Sequence, residues 1–514
     1  MAVLTLRPSE PHPFTLSIHY RTPSRTPNIS LDLTTCISRR DAQSPKTRPT
    51  SVLPPELWLR IFDLVTAVPD SLETDLDDPF DVTLKTSRKD EQKRLRESLV
   101  TKCHLVRVCK QWQTLASRFL YRIIVVGRGR TLSSLAVTLS ESKEKLEGSK
   151  DANPLGWYTQ RLDFVTRGQT HSSRDDSLPS MADAARQELE YLAQIIRYMP
   201  NLSIFTMQAA SKAYPEVMST SVMRALGESC GPSLRVLNWP DFGSRIGRIL
   251  DPRPDEWRDL LSSCPNLRVV RCSDARRSLS GSSPYSSDIP SLQDMRLLTL
   301  SNKNCEDYLS FTESESDEVD SRWPNRFPSL QHVRYHDCAA YIPRAWKRFL
   351  QLHGSTVTSI TIIVHYFAAD IQGHMDLLSP YPNITHVNLH FGLWPRFRPH
   401  LRLPTQITHL GILSYRPHAS KAEYRELFES IRTLHRRSEG LQVVRFLDQR
   451  NVKDLRERHA AELLWGVIRL SNDRRGRRKG LKVENHEGRV MGVGITTRES
   501  DSEDELAVTV PAKL

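Results

Sequence analysis

Residues 328–336 read Pro328-Ser329-Leu330-Gln331-His332-Val333-Arg334-Tyr335-His336. A Pro-Ser turn leads into an apolar anchor, Leu330, and apolar side chains follow three and five positions later at Val333 and Tyr335. In an extended strand alternate side chains point to opposite sides, so positions three and five face one way and positions two, four and six the other. The same spacing recurs at Leu202/Phe205/Met207, Leu234/Leu237/Trp239, Leu267/Val270/Cys272 and Leu292/Met295/Leu297. It returns at Val357/Ile360/Ile362, Ile384/Val387/Leu389, Ile407/Leu410/Ile412 and Leu441/Val444/Phe446. Thr159/Leu162/Phe164 is a weaker first copy, and Leu481/Val483 closes the series. Several copies open with Pro-Asn-Leu or Pro-Ser-Leu, as at Pro200-Asn201-Leu202, Pro265-Asn266-Leu267 and Pro290-Ser291-Leu292, with Pro382-Asn383-Ile384 as a variant.

Between these strands lie stretches with helical periodicity: Ala184–Met199, Asp255–Cys264, Arg344–His353, Ala422–Arg437 and Arg458–Leu470. A single strand-plus-helix unit cannot bury its own apolar face, so neighbouring units must stack to make a core. The spacing predicts an α/β chain whose parallel strands line the concave side of an open solenoid over residues 124–490. The Leu-x-x-Leu-x-Leu core resembles the leucine-rich repeat. From Leu202 onward the anchor-to-anchor distances run from 23 to 40 residues, a range that overshoots the usual 20–29 and implies long helices and irregular insertions. An ordinary α/β domain with a parallel sheet is the alternative.

Upstream, Leu53-Pro54-Pro55-Glu56-Leu57-Trp58-Leu59-Arg60-Ile61-Phe62-Asp63-Leu64-Val65 carries a helix-start signal. Pro55 suits the first helical position, where its missing N–H costs nothing. Leu57, Trp58, Ile61, Phe62, Leu64 and Val65 follow as an apolar stripe. A second helical stripe runs Leu105-Val106-Arg107-Val108-Cys109-Lys110-Gln111-Trp112 and continues through Leu115, Ala116, Phe119, Leu120 and Tyr121. Between the two, residues 69–98 turn acidic (Asp70, Glu73, Asp75, Asp77, Asp78, Asp81) and then basic (Lys85, Arg88, Lys89, Lys93, Arg94, Arg96). Such charge blocks read as a solvated loop. Periodicity alone fits a helical hairpin with an ordinary core.

The Leu-Pro-x-Glu-Leu start and Val-Cys-x-x-Trp end, in this order, resemble an F-box across residues 51–123. Followed by such repeats and joined through Phe119-Leu120-Tyr121-Arg122, the chain resembles the fungal F-box proteins with leucine-rich-repeat-like regions. That resemblance implies a non-catalytic substrate receptor of a cullin-type ubiquitin ligase. A Skp-type adaptor would then dock on Leu53, Pro54, Leu57, Ile61, Leu64, Val106, Cys109 and Trp112, with a cullin held through it. A scaffold serving no ligase is the second reading, and a basic nucleic-acid binder the third.

Composition sets bounds on the rest. A chain of 514 residues exceeds one compact core. No apolar run approaches the roughly 18 residues of a membrane span, and residues 1–8 lack a secretory pattern. The eight cysteines are scattered without a Cys-x-x-Cys pair, as in reduced cytoplasmic or nuclear proteins. The net charge of +12 is concentrated in blocks. Residues 1–50 hold seven Lys/Arg against three acids, with seven Pro and fourteen Ser/Thr, and read as a disordered tail. Arg474-Arg475-Gly476-Arg477-Arg478-Lys479 reads as a solvated loop, an import signal or a phosphate contact. Two acidic runs, 313–318 and 499–505, read as a loop and as part of a tail over 491–514.

No catalytic site, metal or cofactor is expected. Gly127-Arg128-Gly129-Arg130 lacks the rest of a phosphate loop. His332/His336 and His386/His390 sit on strands, where four residues span about 13 Å, too far for one metal ion. In the repeat frame Arg271, Arg296 and Arg334 share position four, as does Arg445. His332, His386 and His409 share position two, and His336 and His390 position six. The three arginines form either a client-binding row for an acidic or phosphorylated segment, flanked by His332 and His386, or a solvated column neutralised by acids such as Asp274 and Asp294. Leu297/Leu300/Asn302 offers a competing frame for the fourth copy.

Overall fold

The computed structural model describes residues 2–7, 15–20, 53–74, 78–80, 85–127, 130–146, 153–166, 178–209, 219–239, 254–272, 291–301, 326–337, 342, 344–364, 370–397, 401–416, 418–471 and 480–491. The basic cluster 474–479, both acidic runs and Asp274 lie outside them. The chain divides into two units, Met1–His390 and Phe391–Leu514.

The first unit opens with an antiparallel pair, β1 (Ala2–Arg7) and β2 (Thr15–Tyr20), inside the segment read as a tail. Three helices follow: α1 (Pro55–Thr66), α2 (Lys85–Leu105) and α3 (Lys110–Arg122). Two expectations are corrected here. Much of the charged insert is helix and not loop, because residues 85–98 belong to α2. The second apolar stripe is not one helix either. It breaks at residues 106–109, where Cys109 turns extended and its sulfur accepts the Trp112 N–H at 3.5 Å as the cap of α3.

From α3 the chain passes directly into β3 (Ile123–Val126) and α4 (Arg130–Leu146). Then come β4 (Arg161–Thr166), α5 (Leu178–Arg197), β5 (Ile204–Ala209), α6 (Thr220–Ala225) and β6 (Val236–Trp239). They are followed by α7 (Pro254–Ser263), β7 (Val269–Cys272), β8 (Leu297–Ser301) and β9 (His332–Asp337). Last are α8 (Arg344–His353), β10 (Ser359–Val364), α9 (Ile371–Leu378) and β11 (His386–Phe391). From β3 to β10 each strand pairs in parallel with the next in sequence. The second unit repeats the rule with β12 (His409–Ser414), α10 (Lys421–Arg437), β13 (Val443–Phe446), α11 (Gln449–Arg458), α12 (Ala460–Ser471) and β14 (Lys482–Glu484). Its three strands are likewise parallel and in chain order.

The register explains why the triplets are apolar. Leu162 pairs with Phe205, Phe205 with Leu237, Leu237 with Val270, and Val333 with Ile360, so position three makes one continuous buried row. Outside the fourth copy, the described anchors and the described side chains at positions three and five are at most 3% exposed. The opening Pro-Asn-Leu elements have a further purpose that spacing did not reveal. Asn201 donates to the Trp157 carbonyl (2.8 Å), Asn266 to Pro232 (2.7 Å) and Asn383 to Ser355 (2.6 Å). Each asparagine thus ties its repeat to the one before.

The fourth copy takes neither frame as read, but one that lies two residues before the competing frame and shares its faces. Leu298 pairs with both Val270 and Val333, so Met295 is the anchor and Leu298 and Leu300 the inward pair. The shift from Leu292 is three residues, an odd number, and an odd shift exchanges the two faces.

His353 sits at the end of α8, 1% exposed between the rings of Phe327 (5.0 Å) and Phe349 (4.8 Å). Burial, helped by nearby Arg326, lowers its pKa to about 4. An unfolded chain takes up this proton below about 6.5, while the folded one holds the ring neutral until about 4. Stability is therefore lost as pH falls through that window, by about 3 kcal/mol in all. Urea unfolding at pH 7 and pH 4.5 should show this loss in the wild type, and His353→Leu should remove most of it.

Candidate protein-binding faces

Helix α1 is apolar around most of its circumference, and the helical bundle covers only part of it. Trp58 and Phe62 turn inward, with ring centroids 4.7 and 4.9 Å from Trp112, and Phe62 meets Phe119 edge-on at 6.4 Å. Leu59, Leu105, Val106 and Leu115 pack against the same cluster. The Ser98 hydroxyl of α2 donates to the Thr66 carbonyl at 2.6 Å and closes the C-terminal end of α1. On the other side Leu53 (39% exposed), Leu57 (47%), Ile61 (38%), Leu64 (71%) and Val65 (53%) meet solvent. At 100° per residue the helical members of this set span an arc of about 100°. Exposed Glu56, Arg60 and Asp63 lie along one edge of that arc on the same helix.

The residues expected to meet an adaptor therefore divide. Leu53, Pro54, Leu57, Ile61 and Leu64 form or adjoin the exposed face, whereas Val106 and Trp112 belong to the bundle core. Cys109 is exposed but occupied as a helix cap. Val65 and Val108, exposed at 53% and 59%, were missed. The stripe read as one face is two, and only the inward half answers to Trp112.

A second candidate surface is the sheet face that presents positions two, four and six. The expected arginine row does not form on it. Arg296 precedes β8 and takes position one, where its N–H donates to Arg268 (2.8 Å) and its carbonyl accepts from Gln331 (3.0 Å) and His332 (2.8 Å). Thr299 is the lateral partner of Arg334, and Arg271 pairs beside Asn238. In the second unit Arg445 is neutralised by Glu484 on the adjacent strand at 2.9 Å. Position two is apolar in the middle strands, where Ile204, Val236, Val269 and Leu297 form a cluster 2–7% exposed. His332 and His336 on β9 are buried, as is His390 on β11, while His386 and His409 are half-buried. Burial lowers the pKa of His409.

The charged insert is tied across this face. The Arg161 guanidinium on β4 donates to the Ser71 carbonyl (2.7 Å), to Glu91 of α2 (2.5 Å) and, through two nitrogens, to Asp163 (2.9 and 2.8 Å). Burial works against its charge, yet Asp163 and Glu91 hold its pKa above the usual arginine value. Six strands further on, the Pro79 carbonyl accepts from Ser359 Oγ and from Asn388 Nδ2, both at 3.1 Å. Phe80, 5% exposed, meets the His386 ring edge-on at 5.3 Å. Charge blocks in the sequence gave no sign of this, because the contacts come from residues 70 to 309 positions away.

Comparison with protein-family models returns no match, and comparison with curated proteins returns none. Among solved structures, a chain of the crystal structure of the Rad7 and Elc1 complex in yeast is similar over 79% of this chain and 98% of its own. Its sequence identity is 11% and its TM-score 0.27. No described helix is long and apolar enough to cross a membrane.

Arg161 is the tie's most exacting part, because Asp163 beneath it is only 4% exposed along its side chain. Removing one member of a buried ion pair typically costs about 3–5 kcal/mol. Arg161→Met should fall in that range by chemical denaturation. Glu91→Gln, at a position 27% exposed, should lose distinctly less.

Proposed function

We propose that this chain is a substrate-recognition subunit of a cullin-type ubiquitin ligase. On this reading a Skp-type adaptor docks on the outer face of α1, and the repeat array captures client proteins. The observation that carries it is the run Leu53, Leu57, Ile61, Leu64 and Val65, exposed at the start and along one side of a helix whose opposite side is already filled by Trp58 and Phe62. An exposed apolar patch with charged side chains along its edge has the make-up of a protein interface. It begins in the Leu-Pro-x-Glu-Leu element that resembles the start of an F-box. The face carries no chemistry of its own, which suits a recruiter. A scaffold outside any ligase would use the same face, and a co-purifying cullin separates the two readings.

Burying a leucine contributes about 1.5–3 kcal/mol, and each 1.4 kcal/mol is tenfold in affinity. Leu57→Asp combined with Leu64→Asp should therefore weaken adaptor capture at least a hundredfold. Surface substitutions seldom change stability by more than about 0.5 kcal/mol each, so the melting temperature should barely move. Trp112→Ala should behave differently, destabilising the helical bundle by about 3–5 kcal/mol before any contact is lost. Retention of adaptor and cullin by the double variant at wild-type levels would refute the assignment.

A further inference from the structure

On the even-numbered face, β10 and β11 already hold a short peptide segment, and it is the protein's own. Pro79 is gripped by its carbonyl, through Ser359 Oγ and Asn388 Nδ2, and Phe80 is buried against His386. The Phe80 N–H is turned back onto Asp78 Oδ1 at 2.9 Å, so the occupant satisfies itself in a tight turn. A backbone carbonyl held by two side-chain donors beside a ring socket is how proteins commonly read a peptide.

The internal occupant fits incompletely. Asn388 Oδ1 is shut off from solvent with no hydrogen-bond partner among the described residues, and so is Arg334 Nε. Arg334 lies on β9 opposite Thr361 of β10, and the Thr361 hydroxyl accepts from Asn388 at 3.2 Å. The two unsatisfied groups are thus two strands apart, about 10 Å, on the face that binds Pro79. Asn388 Oδ1 calls for an N–H, which Pro79 lacks and Phe80 spends on Asp78. A guanidinium N–H calls for an acceptor, and a carboxylate is its best match. Buried donors and acceptors left unpaired penalise the present occupant relative to one that would pair them.

We propose that Ser359, His386, Asn388 and Arg334 form a peptide-recognition site for a client segment with a Pro-aromatic pair and acidic neighbours, and that Asp78-Pro79-Phe80 is its internal, displaceable occupant. A free N–H on the client meets Asn388, and a client carboxylate meets Arg334. The tethered segment competes at an effective concentration of about millimolar, so a free segment displaces it only when better matched or in excess of that concentration. This assignment does not depend on what docks on α1, and adaptor capture should be the same in every variant below.

The probe is a fluorescent peptide with the sequence of residues 76–82, Leu-Asp-Asp-Pro-Phe-Asp-Val, titrated by anisotropy into the full-length protein. Phe80→Ala should open the site and bind the probe at least tenfold more tightly than wild type. Adding Asn388→Ala or Arg334→Ala to Phe80→Ala should reverse that gain at least tenfold. Failure of folded Phe80→Ala to bind, or binding indifferent to both added substitutions, would overturn the proposal and leave the tie as a structural strap. Wild-type protein gives a second reading that needs no variant to fold. Excess probe should speed amide hydrogen exchange at Asp78 and Phe80, and unchanged exchange at a saturating probe concentration would also overturn it.

Discussion

The position-one backbone bonds are the constraint on which the first unit rests. Arg235 N–H donates to Ser203, Arg268 to Arg235, Arg296 to Arg268, Gln331 to Arg296, Thr358 to Gln331 and Thr385 to Thr358, all between 2.8 and 3.0 Å. Each residue accepts from the next repeat and donates to the previous one, so register passes along the sheet without a break. Once position one is fixed, positions three and five must point inward. The side chains there are apolar because no water remains to solvate anything else. Asparagine side chains reinforce the same relation at the turns by reaching back one repeat. Stability in such an array is a sum of units and nearest-neighbour interfaces.

That dependence on neighbours explains what could be read from the sequence. The inward triplets recur because every repeat meets the same environment, so Phe205, Val333 and Leu389 were visible as a pattern and are buried. The strand at Ile123–Val126 was missed because it abuts α3 without the usual Pro-Asn-Leu opening. The fourth copy misled because Leu292, Met295, Leu297, Leu298 and Leu300 satisfy two frames, and only the hydrogen bonds of β7 and β9 choose between them. With that choice Arg296 left the even-numbered face, and the arginine row went with it.

The helical bundle shows a different limit. Periodicity identified α1 as apolar, but it could not divide a wide stripe into a face for Trp112 and a face for solvent. That division depends on where α2 and α3 lie, and α2 came from a segment whose charges suggest a loop. Its charge is carried differently than composition implies, since Glu91 is spent on Arg161. Local polarity is a poor guide where a helix is held by its ends and by a few specific pairs. Here Ser98 on Thr66 and Glu91 on Arg161 add to the burial of Leu95 and Cys103 and the packing of Leu105.

The tie across the sheet is where local reasoning ends. Its bonds join residues 280 and 309 positions apart, and no window of sequence contains both partners. Loop-closure entropy grows only slowly with such separation, so the long range adds little penalty once the repeats have stacked. Order of formation follows from the same physics. Ser359, His386 and Asn388 come together only when β10 and β11 are in register, so the socket for Phe80 is a product of the array. The bundle core of Trp58, Phe62 and Trp112, by contrast, is complete without any strand. The insert's conformation therefore depends on both parts of the first unit: Ser98 anchors it to α1, and Pro79 and Phe80 anchor it to the sheet. A segment held this way reports on the occupancy of the sheet face, because anything that claims Asn388 and His386 must first release it.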